Sequence, residues 1–152
     1  MEQINILYID DEQNNLSAFK ANFRRDFNVF LALSAKEGTE ILKNNDIHII
    51  LTDQRMPDMT GVEFLSSIIE EFPNPIRILV TGYTDMEALV NAVNKGHIFK
   101  YISKPWDNEK LKEILFKAFE VYQLKKKNEA INKELELANE QLEFMLRQKL
   151  LS

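Results

Sequence analysis

Short apolar runs alternate with stretches of helical periodicity through most of this chain, and that alternation leaves few folds open. Ile4-Asn5-Ile6-Leu7-Tyr8-Ile9 reads as a buried strand, Asn28-Val29-Phe30-Leu31-Ala32 as a second and Ile47-His48-Ile49-Ile50-Leu51-Thr52 as a third. Ile76-Arg77-Ile78-Leu79-Val80-Thr81 and Phe99-Lys100-Tyr101-Ile102-Ser103 supply a fourth and a fifth. Strands this continuously apolar are expected where helices cover both faces of a parallel sheet. The intervening segments carry apolar residues at helical spacing, such as Leu16, Phe19 and Phe23, or Val62, Leu65 and Ile69. Ser34 with Glu37 three residues on fits a capping box. Thr84 or Asp85, and Asp107, are candidate caps of later helices, and Gly96 suits a helix C-terminus. Five strands alternating with five helices imply a doubly wound α/β domain with right-handed crossovers.

In such a sheet ligands bind beyond the carboxyl ends of the strands. The first strand ends there in Asp10, Asp11 and Glu12, the third in Asp53, the fourth in Thr81 and Gly82, and the fifth in Lys104 and Pro105. Several carboxylates at one rim repel each other, and some take up protons unless a cation joins them. Magnesium fits best, because it accepts hard oxygen ligands and tolerates a few carboxylates while keeping waters. A carboxylate nucleophile, a metal, a lysine and a hydroxyl together meet the needs of phosphoryl transfer, which rests on positioning and charge neutralisation. Asp53 is then the covalent nucleophile.

Composition excludes other chemistries. With no cysteine, disulfides, thiolate metal sites and cysteine nucleophiles are out, and His48 and His97 alone cannot build a multi-histidine zinc site. The formal charge of −5 gives no electrostatic reason to expect nucleic acid. No apolar run approaches the roughly 20 residues of a membrane helix. The N-terminus lacks the features of a signal peptide, so the expected location is cytoplasmic.

The rim motifs resemble those of the response-regulator receiver family of two-component phosphorelays. They are Ile9-Asp10-Asp11-Glu12, Leu51-Thr52-Asp53-Gln54-Arg55-Met56-Pro57-Asp58-Met59-Thr60-Gly61, Val80-Thr81-Gly82 and Tyr101-Ile102-Ser103-Lys104-Pro105-Trp106, all in the family's order. The resemblance covers about residues 1–122 and implies a flavodoxin-like sheet of order 2-1-3-4-5. It implies that Asp53 is the phosphoacceptor, charged by a histidine kinase or phosphotransfer protein. By the same resemblance Asp10, Asp11, Asp53 and the backbone carbonyl of Arg55 are the Mg2+ ligands. Thr81 and Lys104 look like the residues that grip the phosphoryl oxygens, Thr81 and Tyr101 like the switch pair, and Pro105 like the family's cis proline. The switch would act through the surface of the fourth helix and fifth strand. Arg55 and Tyr83 occupy positions that tune phosphate lifetime in the family, and their bulk is expected to slow self-dephosphorylation. The Asp-Gln-Arg-Met-Pro run resembles receivers joined to cyclic-nucleotide or phosphatase-type outputs more than DNA-binding ones. An aspartate-nucleophile phosphohydrolase would carry an acid two residues after Asp53, where Arg55 stands, so a signalling receiver rather than a turnover enzyme is expected.

From Asp107 to Ser152 nothing interrupts a helix, and composition shifts after Leu124 to a Gly- and Pro-free mix of Leu, Glu, Asn, Gln and Lys. The expected boundary puts the receiver at 1–122 and a helical extension at 123–152. Val121, Asn128, Leu135, Leu142 and Lys149 share one heptad position, and Leu124, Ile131, Ala138 and Met145 the other. That alternation of three and four is the left-handed coiled-coil pattern, and a seam Asn such as Asn128 favours two parallel strands. A homodimer through residues 121–149 is expected, with an output partner or domain beyond it. His48 is expected to face a helix or solvent, and Trp106 to pack on the helix that follows it.

Overall fold

The computed structural model describes residues 3–82 and 97–151. Among them run β1 (Asn5–Ile9), α1 (Gln13–Phe23), β2 (Asn28–Ala32), α2 (Ala35–Asn44), β3 (Ile49–Asp53), α3 (Gly61–Ser67), β4 (Ile76–Thr81), β5 (Ile98–Ser103) and α4 (Asn108–Leu151). The helix expected between the fourth and fifth strands, with its candidate caps Thr84 or Asp85 and Gly96, lies outside the described residues, as does Tyr83. The strands form one parallel sheet of order β2-β1-β3-β4-β5, as expected.

Alternation along each strand divides the core between the two sheet faces. Ile6 and Tyr8 of β1 join Leu16, Phe19 and Phe23 of α1 and Leu111, Leu115 and Ala118 of α4 on one side. Leu7 and Ile9 join Ala35 and Leu42 of α2 and Phe64 and Leu65 of α3 on the other. β1 and β3 lie between neighbours on both sides, so their apolar residues are almost wholly buried. β5 is an edge strand, and Phe99 and Lys100 are exposed there.

Local sequence sets the helix starts. Ser34 accepts from the Glu37 backbone N–H at 3.2 Å, while the Glu37 carboxylate reaches back to the Leu33 N–H at 2.8 Å. Asp107 accepts from the Glu109 N–H at 2.9 Å and caps α4. α3 carries a Thr60–Glu63 pair of the same kind, with the Glu63 N–H donating to Thr60 Oγ1 at 3.1 Å. It is shorter than the periodicity of Val62, Leu65 and Ile69 predicts. Ile68 is already its C-cap, and the Ser67 hydroxyl donates back to the Phe64 carbonyl at 2.7 Å. Serine competes for backbone groups in this way and favours helix ends.

His48 does face a helix. It is buried just before β3, its Nδ1 accepts from the Asn5 N–H at 2.9 Å, and its ring meets the edges of Phe119 and Tyr122 of α4. The Trp106 ring lies edge-on to Tyr8 and Phe19, and its Nε1 donates to Asn108 Oδ1 at 3.1 Å. α4 runs as one helix of 44 residues. In the amide orientation that satisfies both groups, Asn74 donates to Glu129 Oε1 and accepts from Lys126 Nζ, each at 3.1 Å. Past Tyr122 the helix is exposed, including the heptad residues Leu124, Ile131, Leu135, Leu142 and Met145.

Candidate functional site

Parallel register brings the strand ends to one rim. Ile9 pairs with Thr52 on β3, Asp53 with Val80 on β4, and Thr81 with Ser103 on β5. Asp53 and Thr81 close β3 and β4, and Asp10 and Lys104 directly follow β1 and β5, so all four stand at the same rim. Asp10, Asp11 and Asp53 each offer an oxygen within 4.8 Å of the others. Glu12 does not join them. It is the exposed N-cap residue of α1, and its carboxylate takes the Asn15 amide at 3.3 Å while its N–H donates to Asp10 Oδ1 at 3.0 Å.

Lys104 spans the cleft. Its Nζ donates to Asp10 Oδ2 at 3.0 Å and lies 3.5 Å from Asp53 Oδ2, and the Lys104–Pro105 peptide bond is cis. The Lys104 backbone N–H donates to the Thr81 carbonyl at 2.9 Å, so the lysine and the threonine are fixed to one another. Thr81 is fully buried, and its hydroxyl donates to the Gly82 carbonyl at 3.3 Å. Tyr101 is half-buried against the core face that holds α2 and α3. Arg55 is exposed in the loop after β3.

Two partners of Asp10 escape sequence reading. The buried Tyr8 hydroxyl donates to Asp10 Oδ2 at 2.8 Å, and the Asn15 amide donates to the same oxygen at 3.1 Å. Strand parity is the signal for the first, because residues two apart on a strand share a face. For the second it is the position of Asn15 in the first turn of α1. Gly61 serves Asp53 instead: it lies so close to the Asp53 carbonyl that a Cβ there would stand 2.5 Å from the oxygen.

The electrostatics follow from burial and neighbours. Burial pushes the Asp10 carboxyl up, but the Glu12 N–H, Lys104 and the Tyr8 hydroxyl together outweigh it and hold it below the usual carboxylate range. Asp53 goes the other way. Burial raises it, Lys104 opposes, and Asp10 adds a like charge, so that the net direction is up. Burial lowers the Lys104 ammonium, yet its bond to Asp10 and the charges of Asp53 and Asp10 lift it above its ordinary value. Tyr8 is driven far up, first by burial and then by the charge of Asp10, and stays a hydroxyl donor.

Three carboxylates against one lysine leave a surplus of negative charge at the rim. A small divalent ion with hard oxygen ligands suits that donor set. Magnesium fits these residues on charge and on ligand type. Among the described residues, no helix is long and apolar enough to cross a membrane.

A family model described as the response regulator receiver domain matches residues 6–116. The hydrogenase transcriptional regulatory protein HoxA of Cupriavidus necator is 35% identical over 151 residues, covering 99% of this chain and 31% of that protein. HoxA of Bradyrhizobium diazoefficiens is 36% identical over 124 residues, 82% of this chain and 26% of the relative. The chain thus spans less than a third of these relatives. Among solved structures, one titled adenylate cyclase from Rhodopirellula baltica superposes with a TM-score of 0.81 at 29% identity, over 87% of this chain and 98% of that one. The beryllofluoride-activated NtrC4 receiver domain dimer does so with 0.71 at 28%, over 78% and 98%. The two sequence relatives are named as transcriptional regulators and the Rhodopirellula structure as an adenylate cyclase, so the names include both a DNA-directed and a cyclic-nucleotide output. The family model matches most of the chain, the sheet has the order that the resemblance implies, and the chain belongs to the response-regulator receiver family.

Proposed function

We propose that the chain is a phosphorylation-operated switch that accepts a phosphoryl group on Asp53 from a histidine kinase or phosphotransfer protein. The observation carrying this reading is the Lys104 ammonium set between Asp10 and Asp53, at 3.0 and 3.5 Å, in a cleft with three carboxylates. An Asp53 oxygen attacks the phosphorus of a phosphohistidine, the P–N bond breaks, and its electron pair leaves with the imidazole, which takes a proton from water. The product is an acyl phosphate on Asp53. Asp10, Asp11, Asp53 and the Arg55 carbonyl would hold Mg2+, which supplies positive charge to the equatorial phosphoryl oxygens. Lys104 exchanges its carboxylate partner for one of those oxygens, and the Thr81 hydroxyl turns from the Gly82 carbonyl toward another. Tyr101 then follows Thr81 inward and changes the surface of β5.

The same reading divides the chain into a receiver at 1–122 and a coiled-coil extension at 123–152. Two copies pair in parallel through residues 121–149 and pass the state to an output partner or domain. The support is the exposed heptad seam, with Asn128 opposite its own copy. Glu120 and Lys125 flank the seam five residues apart, a spacing that places opposite charges together in a parallel pair.

The test is incubation with Mg2+ and acetyl phosphate, followed by intact mass. The wild type gains one phosphoryl group and Asp53→Asn gains none. An unmodified wild type, or an equally modified Asp53→Asn, refutes the assignment.

A further inference from the structure

We propose that Tyr8 is a positioning residue for cation capture: its buried hydroxyl fixes one oxygen of Asp10, leaving the other for a cation shared with Asp11 and Asp53. This rests on the reading of Asp10 as a metal ligand. Tyr8 lies in the middle of the core, with its ring against Phe19 at 4.5 Å between centroids and edge-on to Trp106 at 6.3 Å. A phenylalanine would fill that volume equally well. A buried hydroxyl costs stability unless it is bonded, so the oxygen needs a reason to be there. Its hydrogen-bond partner is Asp10 Oδ2, at 2.8 Å.

The donors on Asp10 are unevenly shared. Oδ2 takes the Tyr8 hydroxyl, the Asn15 amide at 3.1 Å and the Lys104 ammonium at 3.0 Å. Oδ1 takes the Glu12 N–H at 3.0 Å. A carboxylate offers about four acceptor positions over its two oxygens. Oδ2 is therefore saturated, while Oδ1 keeps a lone pair for a cation. Lys104 has Asp53 as a second partner at 3.5 Å and leaves Oδ2 when a phosphoryl group arrives. Among the described residues Tyr8 has no such second partner, and its ring is packed against Phe19 and Trp106. It is the donor that keeps the Asp10 plane from turning while Lys104 moves. Hydrogen bonds to ligating carboxylates act in this way, and losing one typically weakens metal binding by about tenfold or more.

The probe is Mn2+ alone, with the free ion counted by electron paramagnetic resonance. Tyr8→Phe is expected to lower Mn2+ affinity by about tenfold with its thermal midpoint nearly unchanged. Phe19→Leu, which loosens the same core without touching Asp10, is expected to lower the midpoint and leave Mn2+ affinity alone. Wild-type affinity in Tyr8→Phe, or an equal loss in Phe19→Leu, overturns the inference. A wild type that takes up no Mn2+ overturns the cation reading itself, and this inference with it.

Discussion

Gly61→Ala is the substitution whose cost can be worked most directly from the site. A Cβ at Gly61 would lie 2.5 Å from the Asp53 carbonyl oxygen, 2.7 Å from Leu79 Cδ1 and 3.2 Å from the Asp53 carbonyl carbon. Ordinary contact begins near 3.4 Å, so α3 would have to retreat by almost an ångström from β3. It is not free to do so. The Gly61 N–H donates to the Gln54 carbonyl at 3.0 Å, and the Val62 N–H donates to the Gln54 side chain at 3.1 Å. Leu79 is fully buried and cannot swing into solvent. Overpacking of this kind costs about 1–3 kcal/mol, and a strained or lost backbone bond adds about 1 kcal/mol. The total comes to about 3 kcal/mol. At roughly 4 °C per kcal/mol for a domain of this size, the thermal midpoint should fall by about 12 °C. Gly38→Ala is the internal comparison. Its Cβ meets Ile9 Cδ1 at 2.6 Å, and its three nearest atoms are all side-chain atoms rather than backbone, so about 1 kcal/mol is expected. Gly82→Ala meets nothing within 4 Å among the described residues and should stay within about 0.5 kcal/mol of wild type. Urea unfolding of the three variants gives the ranking. A Gly61→Ala protein as stable as Gly82→Ala would show that β3 and α3 do not approach this closely, and the geometry of Asp53 would need redrawing.

Asp53→Asn should stabilise the metal-free protein at neutral pH. The folded state raises the Asp53 carboxyl above its unfolded value, so it holds a proton the unfolded chain releases, and stability falls as pH rises through that window. The advantage of the variant should fade as the pH drops to about 4, near the ordinary carboxylate value; a gain in urea midpoint that persists there would refute the charge argument. Asp10, held low, works oppositely: its contribution is present above its unfolded value and lost in acid. In the extension, Leu135→Lys with Leu142→Lys should convert a dimer to a monomer by light scattering while the unfolding midpoint of the receiver part stays within about 0.5 kcal/mol. A monomeric wild type, or a dimer that survives both lysines, would remove the seam from the argument.

The sheet and its rim were legible because one regularity carried both. Apolar runs of strand length mark β1, β3, β4 and β5, and whatever follows such a run in a parallel sheet arrives at the same edge. Asp10, Asp53, Thr81 and Lys104 could therefore be placed together without any knowledge of side-chain contacts, and register does bring their strand ends together. What sequence reading missed depends on contacts between residues of unremarkable type. Tyr8 passes for one more apolar strand residue until its hydroxyl is seen on Asp10. Asn15 looks like a solvated residue at a helix start. Thr60 and Glu63 form a cap with the same three-residue spacing as Ser34 and Glu37, straddling the end of the Leu51–Gly61 run. Gly61 adopts no left-handed conformation, so its need for glycine is a matter of distance to Asp53, which no local pattern encodes.

The long helix poses a different problem, because its apolar residues serve two masters in succession. At about 100° per residue, the buried residues Leu111, Leu115, Ala118, Phe119 and Tyr122 fall on one side of α4. Lys126 and Glu129, which Asn74 holds, continue that side beyond the last buried turn. The heptad residues Leu124, Asn128, Ile131 and Leu135 fall roughly 155° away around the axis, by the same helical geometry. The receiver body and the seam therefore grip opposite faces of the helix where they overlap. An amphipathic reading of the whole element sees apolar residues on both sides and detects no single stripe. Read in two parts, the pattern is consistent: a wide face packs on the sheet as far as Tyr122, and a narrower seam, already open at Leu124, carries on to Met145. Because the body leaves the seam uncovered from Leu124 onward, a second helix can approach along that stretch without displacing a contact that holds α4 to its own receiver. The proposed pairing and the core then share Val121 at the start of the seam, and substitutions further along, at Leu135 and Leu142, can test one without disturbing the other.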